Sequence, residues 1–121
     1  MAILSRGLGF VVASYTGTTN NINLDLGFIP AYAQGWDVSD GLTSWFWANG
    51  MSGAAGGTTA MGVVVSSPSA GSTTIATIAA GAGGIGTLTG ATGSGIGLTI
   101  GTNTAINIAS HGVIVFAHEP M

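Results

Sequence analysis

Lysine and cysteine are absent from this chain, and charge of either sign is scarce. Of 121 residues only Arg6, Asp25, Asp37, Asp40 and Glu119 carry a full charge, 4% of the total, against roughly a quarter in an ordinary soluble domain. One arginine cannot neutralise several phosphates, which argues against nucleic-acid binding and against polybasic attraction to anionic lipid. Zero cysteines exclude disulfides, thiolate chemistry and cysteine-type zinc sites. Net charge is also what keeps copies of a protein apart in solution. With a formal charge of −3 resting on so few groups, much of this surface is expected to be covered, by copies of the chain or by something larger.

Aromatic residues are missing from residues 52–110, whereas residues 1–51 hold both Tyr, all three Trp, three of the four Phe and four of the five charges. An aromatic-free segment has too little large side-chain surface to fold alone. A single domain over residues 9–121 is therefore expected, with large side chains of the first half packed on a glycine-rich second half. Residues 1–8 read as an N-terminal arm whose Ile3, Leu4 and Arg6 extend onto a neighbouring subunit, since an apolar terminus gains from docking. This terminus has neither the basic n-region nor the long apolar h-region of a secretory signal. Its leading Met1 points to an unprocessed product made in a host cytoplasm.

Helix signals are poor, because Gly, Thr, Val and Ile dominate the second half and Ala rarely runs far without Gly. Short β-branched or aromatic runs bounded by turn residues predict strands at 9–15, 21–26, 32–36, 44–48, 62–66, 73–78, 85–89, 95–100 and 112–118. Ile22, Leu24 and Leu26 alternate with Asn21, Asn23 and Asp25, the pattern of an antiparallel sheet with one buried face. Turn chemistry recurs at Gly17, Gly41, Gly50 and Asn103. The fold class expected is all-β: a jelly-roll-like antiparallel β-sandwich in one domain. A mean hydropathy of +0.59 raises a membrane alternative over residues 73–100. Thr87, Thr89, Thr92 and Ser94 break that stretch too often for a spanning helix.

The apparent motifs of chemistry lack their contexts. Gly81 to Gly86 matches G-x-G-x-x-G, but no Asp or Glu follows before Glu119 and no helix signal follows it, so a nucleotide fingerprint is not read there. His111 and His118 are seven apart, which places them on opposite faces of a strand rather than at one metal. Asp37 and Asp40 lie in one short segment that reads as a side-chain-capped turn before it reads as a hydrolase carboxylate pair. No Gly-x-Ser-x-Gly elbow is present. No catalytic, cofactor-binding or metal-ligating residue is assigned, no cofactor is expected, and the chain is read as a non-enzyme. The dense aromatic set is Trp36, Trp45, Phe46 and Trp47, joined by Phe28 and Tyr32, as packing or interface anchors. Strand alternation sends Trp45 and Trp47 one way and Phe46 the other.

One order of motifs goes beyond composition. Gly9-Phe10 runs into Tyr15-Thr16-Gly17, then Leu24-Asp25-Leu26-Gly27-Phe28-Ile29-Pro30-Ala31-Tyr32. Trp36-Asp37 and Trp45-Phe46-Trp47-Ala48-Asn49-Gly50-Met51 follow, and Gly101-Thr102-Asn103 with Ile106-Asn107 precede a closing strand. This order resembles small tailed-bacteriophage virion proteins. The resemblance implies a capsid decoration (cement) protein: a homotrimer bound to the major capsid protein on the outside of the virion, with no nucleic acid, no membrane and no catalytic residues. Two other readings stay open from the residues. One is a tail or fibre module binding host glycans through exposed Trp and the 37–41 turn. The other is a self-assembling or membrane-active β-fibre protein.

Overall fold

The computed structural model describes residues 1–51, 61–69, 71–78, 82–89 and 95–120. The described residues form ten strands: β1 (Ala2–Gly7), β2 (Phe10–Thr16), β3 (Ile22–Asp25), β4 (Tyr32–Asp37), β5 (Thr43–Ala48), β6 (Gly62–Ser69), β7 (Ser72–Ile78), β8 (Ile85–Thr89), β9 (Ile96–Ile100) and β10 (Gly112–His118). Every strand pairing is antiparallel. One sheet has seven strands in the order β1-β2-β10-β4-β5-β6-β7, and the other has three in the order β3-β9-β8. The chain passes between the sheets on leaving β2, β3, β7 and β9, the wrapped all-β sandwich that the sequence leads one to expect. No helix is long and apolar enough to cross a membrane among the described residues, and the 73–100 stretch supplies β7, β8 and β9 instead.

All nine expected strands form. The tenth corrects the reading of residues 1–8 as an arm: they fold back on their own subunit as β1, with Arg6 opposite Val11 and Gly7 opposite Phe10. The cause is the turn at Leu8 and Gly9, where Gly9 takes φ +82°, a conformation open to glycine at no steric cost. Ile3, Leu4 and Arg6 thus belong to an edge strand. Ile3 and Leu4 stay exposed, and Arg6 donates from Nη1 to the Leu26 carbonyl at 3.1 Å.

The core lies between the sheets. Val11, Ala13 and Tyr15 of β2, Val113, Val115 and Ala117 of β10, and Ala33 of β4 join Trp45 and Trp47 of β5. Leu24, Ile85, Leu98 and Ile100 meet them from the smaller sheet, in one continuous cluster. Both halves of the sequence contribute, as the single-domain reading requires. Most inward side chains of β2, β4 and β10 are small. Trp45 therefore fills the space: its indole lies over Gly35, where an added Cβ would collide with the ring. Gly81 of the G-x-G-x-x-G match lies outside the described residues, while Ile85 and Gly86 of it begin β8.

Candidate functional site

Period-two alternation makes the outer face of the seven-stranded sheet the complement of its inner one. On β4, Ala33, Gly35 and Asp37 are buried while Tyr32 and Trp36 are exposed; on β5, Trp45 and Trp47 are buried while Phe46 is exposed. The anchors named from sequence therefore divide. Trp45 and Trp47 are core, Phe28 packs against the core half-buried, and Tyr32, Trp36 and Phe46 face outward.

Register brings the outward residues into rows across the sheet. Val12, Phe116, Gln34, Phe46 and Val63 lie abreast, as do Ser14, Ile114, Trp36, Ser44 and Val65. A third row runs Phe10, His118, Tyr32 and Ala48. Within it the Tyr32 and His118 rings stack at 4.9 Å with planes 13° apart. These rows contain no Asp, Glu, Lys or Arg. Trp36 keeps 46% of its surface exposed and Phe116 keeps 44%. Sequence reading missed Phe10 and Phe116 as members, because they lie far from the aromatic-rich segment in the chain and only pairing puts Phe116 beside β4 and Phe10 one strand beyond it.

A second cluster sits at one end of the sandwich. Asp37 Oδ1 accepts from the backbone N–H of Ser39 at 2.9 Å and of Asp40 at 3.2 Å, and Asp40 Oδ1 accepts from Leu42 N–H at 2.8 Å. The capped turn expected from the sequence is what forms. What the sequence did not reveal is the third member. His111, just before β10, places Nδ1 2.7 Å from Asp37 Oδ2 and 3.8 Å from Asp40 Oδ2. A carboxylate accepts only, so the imidazole donates from Nδ1. Asp37 Oδ2 thus takes the imidazole while Oδ1 takes two backbone donors. One ligand atom from each of Asp37, Asp40 and His111 lies within 4.8 Å of the others, and their hydrogen bonds clamp the 37–41 turn to the start of β10, reinforced by Gly112 N–H donating to Ser39 Oγ at 2.8 Å. His118, at the other end of β10, takes no part in it.

Among the described residues no fully buried side-chain nitrogen or oxygen lacks a hydrogen-bond partner. Tyr15 donates to the Ile106 carbonyl at 2.6 Å and accepts from Trp45 Nε1 at 3.1 Å. Burial pushes the Tyr15 phenol well above its ordinary 10.0; the Trp45 N–H opposes the shift and the Asp37 charge adds to it. A raised value means that this contribution to stability is intact below the unfolded-state value and is lost as pH climbs past it, because the unfolded chain then ionises and the folded one does not. Stability is therefore predicted to fall above pH 10, by up to about 1.4 kcal/mol per pH unit from this one group. Tyr15→Phe should flatten that alkaline decline while costing about 1–2 kcal/mol at neutral pH, since the Trp45 donor loses its acceptor. Urea midpoints between neutral and strongly alkaline pH check both, and an unchanged decline in Tyr15→Phe would assign it elsewhere.

No family model matches the chain, and no curated protein or solved structure does.

Proposed function

We propose that this chain is a structural component of a virion, a decoration protein that lies on the outer capsid surface and stabilises it without catalysis. The observation that carries the reading is the outer face of the seven-stranded sheet: aromatic side chains in register, exposed, with no formal charge in the rows. An exposed apolar patch of this kind marks an interaction site rather than a solvent face. Covering it is inexpensive, because no ion has to be stripped of water on this side. Trp36, Phe46 and Phe116 are the anchors of that contact, in keeping with the enrichment of aromatic residues at interface hot spots. The resemblance in motif order supports the major capsid protein as the surface met and a homotrimer as the bound form.

The test is co-sedimentation of the purified chain with capsids lacking it. Wild type is expected to saturate a fixed number of sites per capsid and to raise the temperature at which capsids rupture. Trp36→Ala and Phe46→Ala, both at exposed positions and so compatible with folding, are each expected to weaken binding about 30-fold, the scale of a hot-spot truncation. Failure to bind capsids, together with retention on a glycan array that Trp36→Ala abolishes, would replace this reading with a host-glycan module.

A further inference from the structure

The seven-stranded sheet has two ends among the described residues, β1 and β7, and they are built differently. The β1 ladder shifts register between Ile3 and Ser5, and this strand carries Arg6, the chain's only Lys or Arg. Irregular pairing and charge are devices that stop an edge from accepting another strand. β7 reads Ser-Thr-Thr-Ile-Ala-Thr-Ile, with no charge, no proline and no glycine, and five of its seven residues are β-branched, the types that favour extended chain. Its ladder to β6 is regular from Ile78 to Thr74 and shifts only toward the hairpin end, between Ser66 and Ser69. Ser72 to Thr77 are exposed, Ile75 by 72%. From Ser72 to Thr77 both faces of the strand are uncovered among the described residues, and only Ile78 turns into the core.

We propose that β7 is an assembly edge which pairs antiparallel with β7 of a second copy, joining two seven-stranded sheets across a two-fold axis. The sequence of the strand suits a second copy as its occupant. Antiparallel pairing centred on Ile75 sets that residue against its own counterpart, Thr73 against the second copy's Thr77, and Thr74 against its Ala76. Directly opposed residues share a face, so on the outer face Ile75 meets Ile75 of the second copy and Thr73 and Thr77 meet each other. Thr–Thr and β-branched pairs of this kind stabilise a sheet, and no like charges are opposed. Such an isologous contact uses the same patch on both copies and closes without leading to a filament. It joins two chains, or two trimers, and holds whether or not the aromatic face binds a capsid.

The chain has no cysteine, so one introduced thiol reports one contact. Ile75→Cys is expected to form a disulfide-linked pair on mild oxidation about tenfold faster than Thr104→Cys, an exposed loop control, because opposed strand positions meet disulfide geometry. Thr73→Cys and Thr77→Cys should cross-link slowly alone and rapidly when mixed, a pattern that random collision does not produce. Sedimentation of the wild type at micromolar concentration should give an even number of chains. Ile75→Lys, at an exposed position, should raise the dissociation constant roughly tenfold by replacing the central β-branched pair with two opposed ammonium groups. A wild-type monomer, a trimer unaffected by Ile75→Lys, or an Ile75→Cys rate no faster than the loop control would each overturn the proposal.

Discussion

Gly35→Ala is expected to destabilise the fold by about 3 kcal/mol, the upper range for forcing atoms into a packed core, although it adds one methyl group. Gly35 sits on the inner face of β4, opposite Trp45 on β5. A Cβ there would overlap the five-membered side of the indole and lie 2.5 Å from its Cζ2. The ring cannot tilt away freely. Trp45 is 2% exposed, and its Nε1–H is held by Tyr15 Oη, which is itself bonded to the Ile106 carbonyl. Any tilt large enough to relieve the overlap breaks that relay and strands a buried donor. The assignment to ring overlap, rather than to β4 backbone preference, is checked by a double-mutant cycle. Trp45→Leu alone should cost about 3 kcal/mol through lost packing. In the Gly35→Ala background the same change should cost little, giving a coupling of about 2 kcal/mol. Additive effects in urea titration would contradict the packing account.

This pair marks how far the sequence could be read. Alternation alone sent Trp45 inward and Phe46 outward, and turn residues bounded nine strands, because each is a local property of one segment. The same local rules failed at residues 1–8. An apolar run ahead of a Gly-Leu-Gly stretch looks alike as an arm or as half of a hairpin, and only the φ of Gly9 and the free edge of β2 decide between them. The outer face was half legible. Tyr32, Trp36 and Phe46 stood out in an aromatic-rich segment, whereas Phe10 and Phe116 join them only through β10 lying between β2 and β4, which is topology. The Asp37–His111 clamp was hidden for a related reason: its members are 74 residues apart. The turn explained both aspartates without needing the histidine.

Asn107→Ala is expected to cost about 3 kcal/mol and to open one end of the sandwich locally before the whole unfolds. This side chain is fully buried and uses every hydrogen-bonding group it has. Its Oδ1 accepts from the backbone N–H of Thr18 at 2.8 Å and of Thr19 at 3.1 Å, while Nδ2 donates to the carbonyls of Asn20 at 2.6 Å and Gly101 at 3.0 Å. One amide thus ties the connection between β2 and β3 to the end of β9, linking the two sheets where Thr19 is held at φ 66°, an uncommon conformation for a residue with a side chain. Truncation leaves four backbone groups without that partner. Water reaches the exposed 18–20 turn and restores some of them, so the loss stays below four full penalties of about 1–3 kcal/mol each. Exchange of the Thr18 and Thr19 amides should accelerate about 100-fold, in line with local opening, while amides in the middle of β10 should follow only the global change. Asn107→Asp separates geometry from chemistry. Its oxygens can still accept from Thr18 and Thr19, but the donors facing Asn20 and Gly101 are gone and a charge is buried, so it should cost at least as much as alanine. A near-silent Asn107→Asp would mean that the two N–H acceptor bonds alone hold the turn, and that the bonds to Asn20 and Gly101 contribute little.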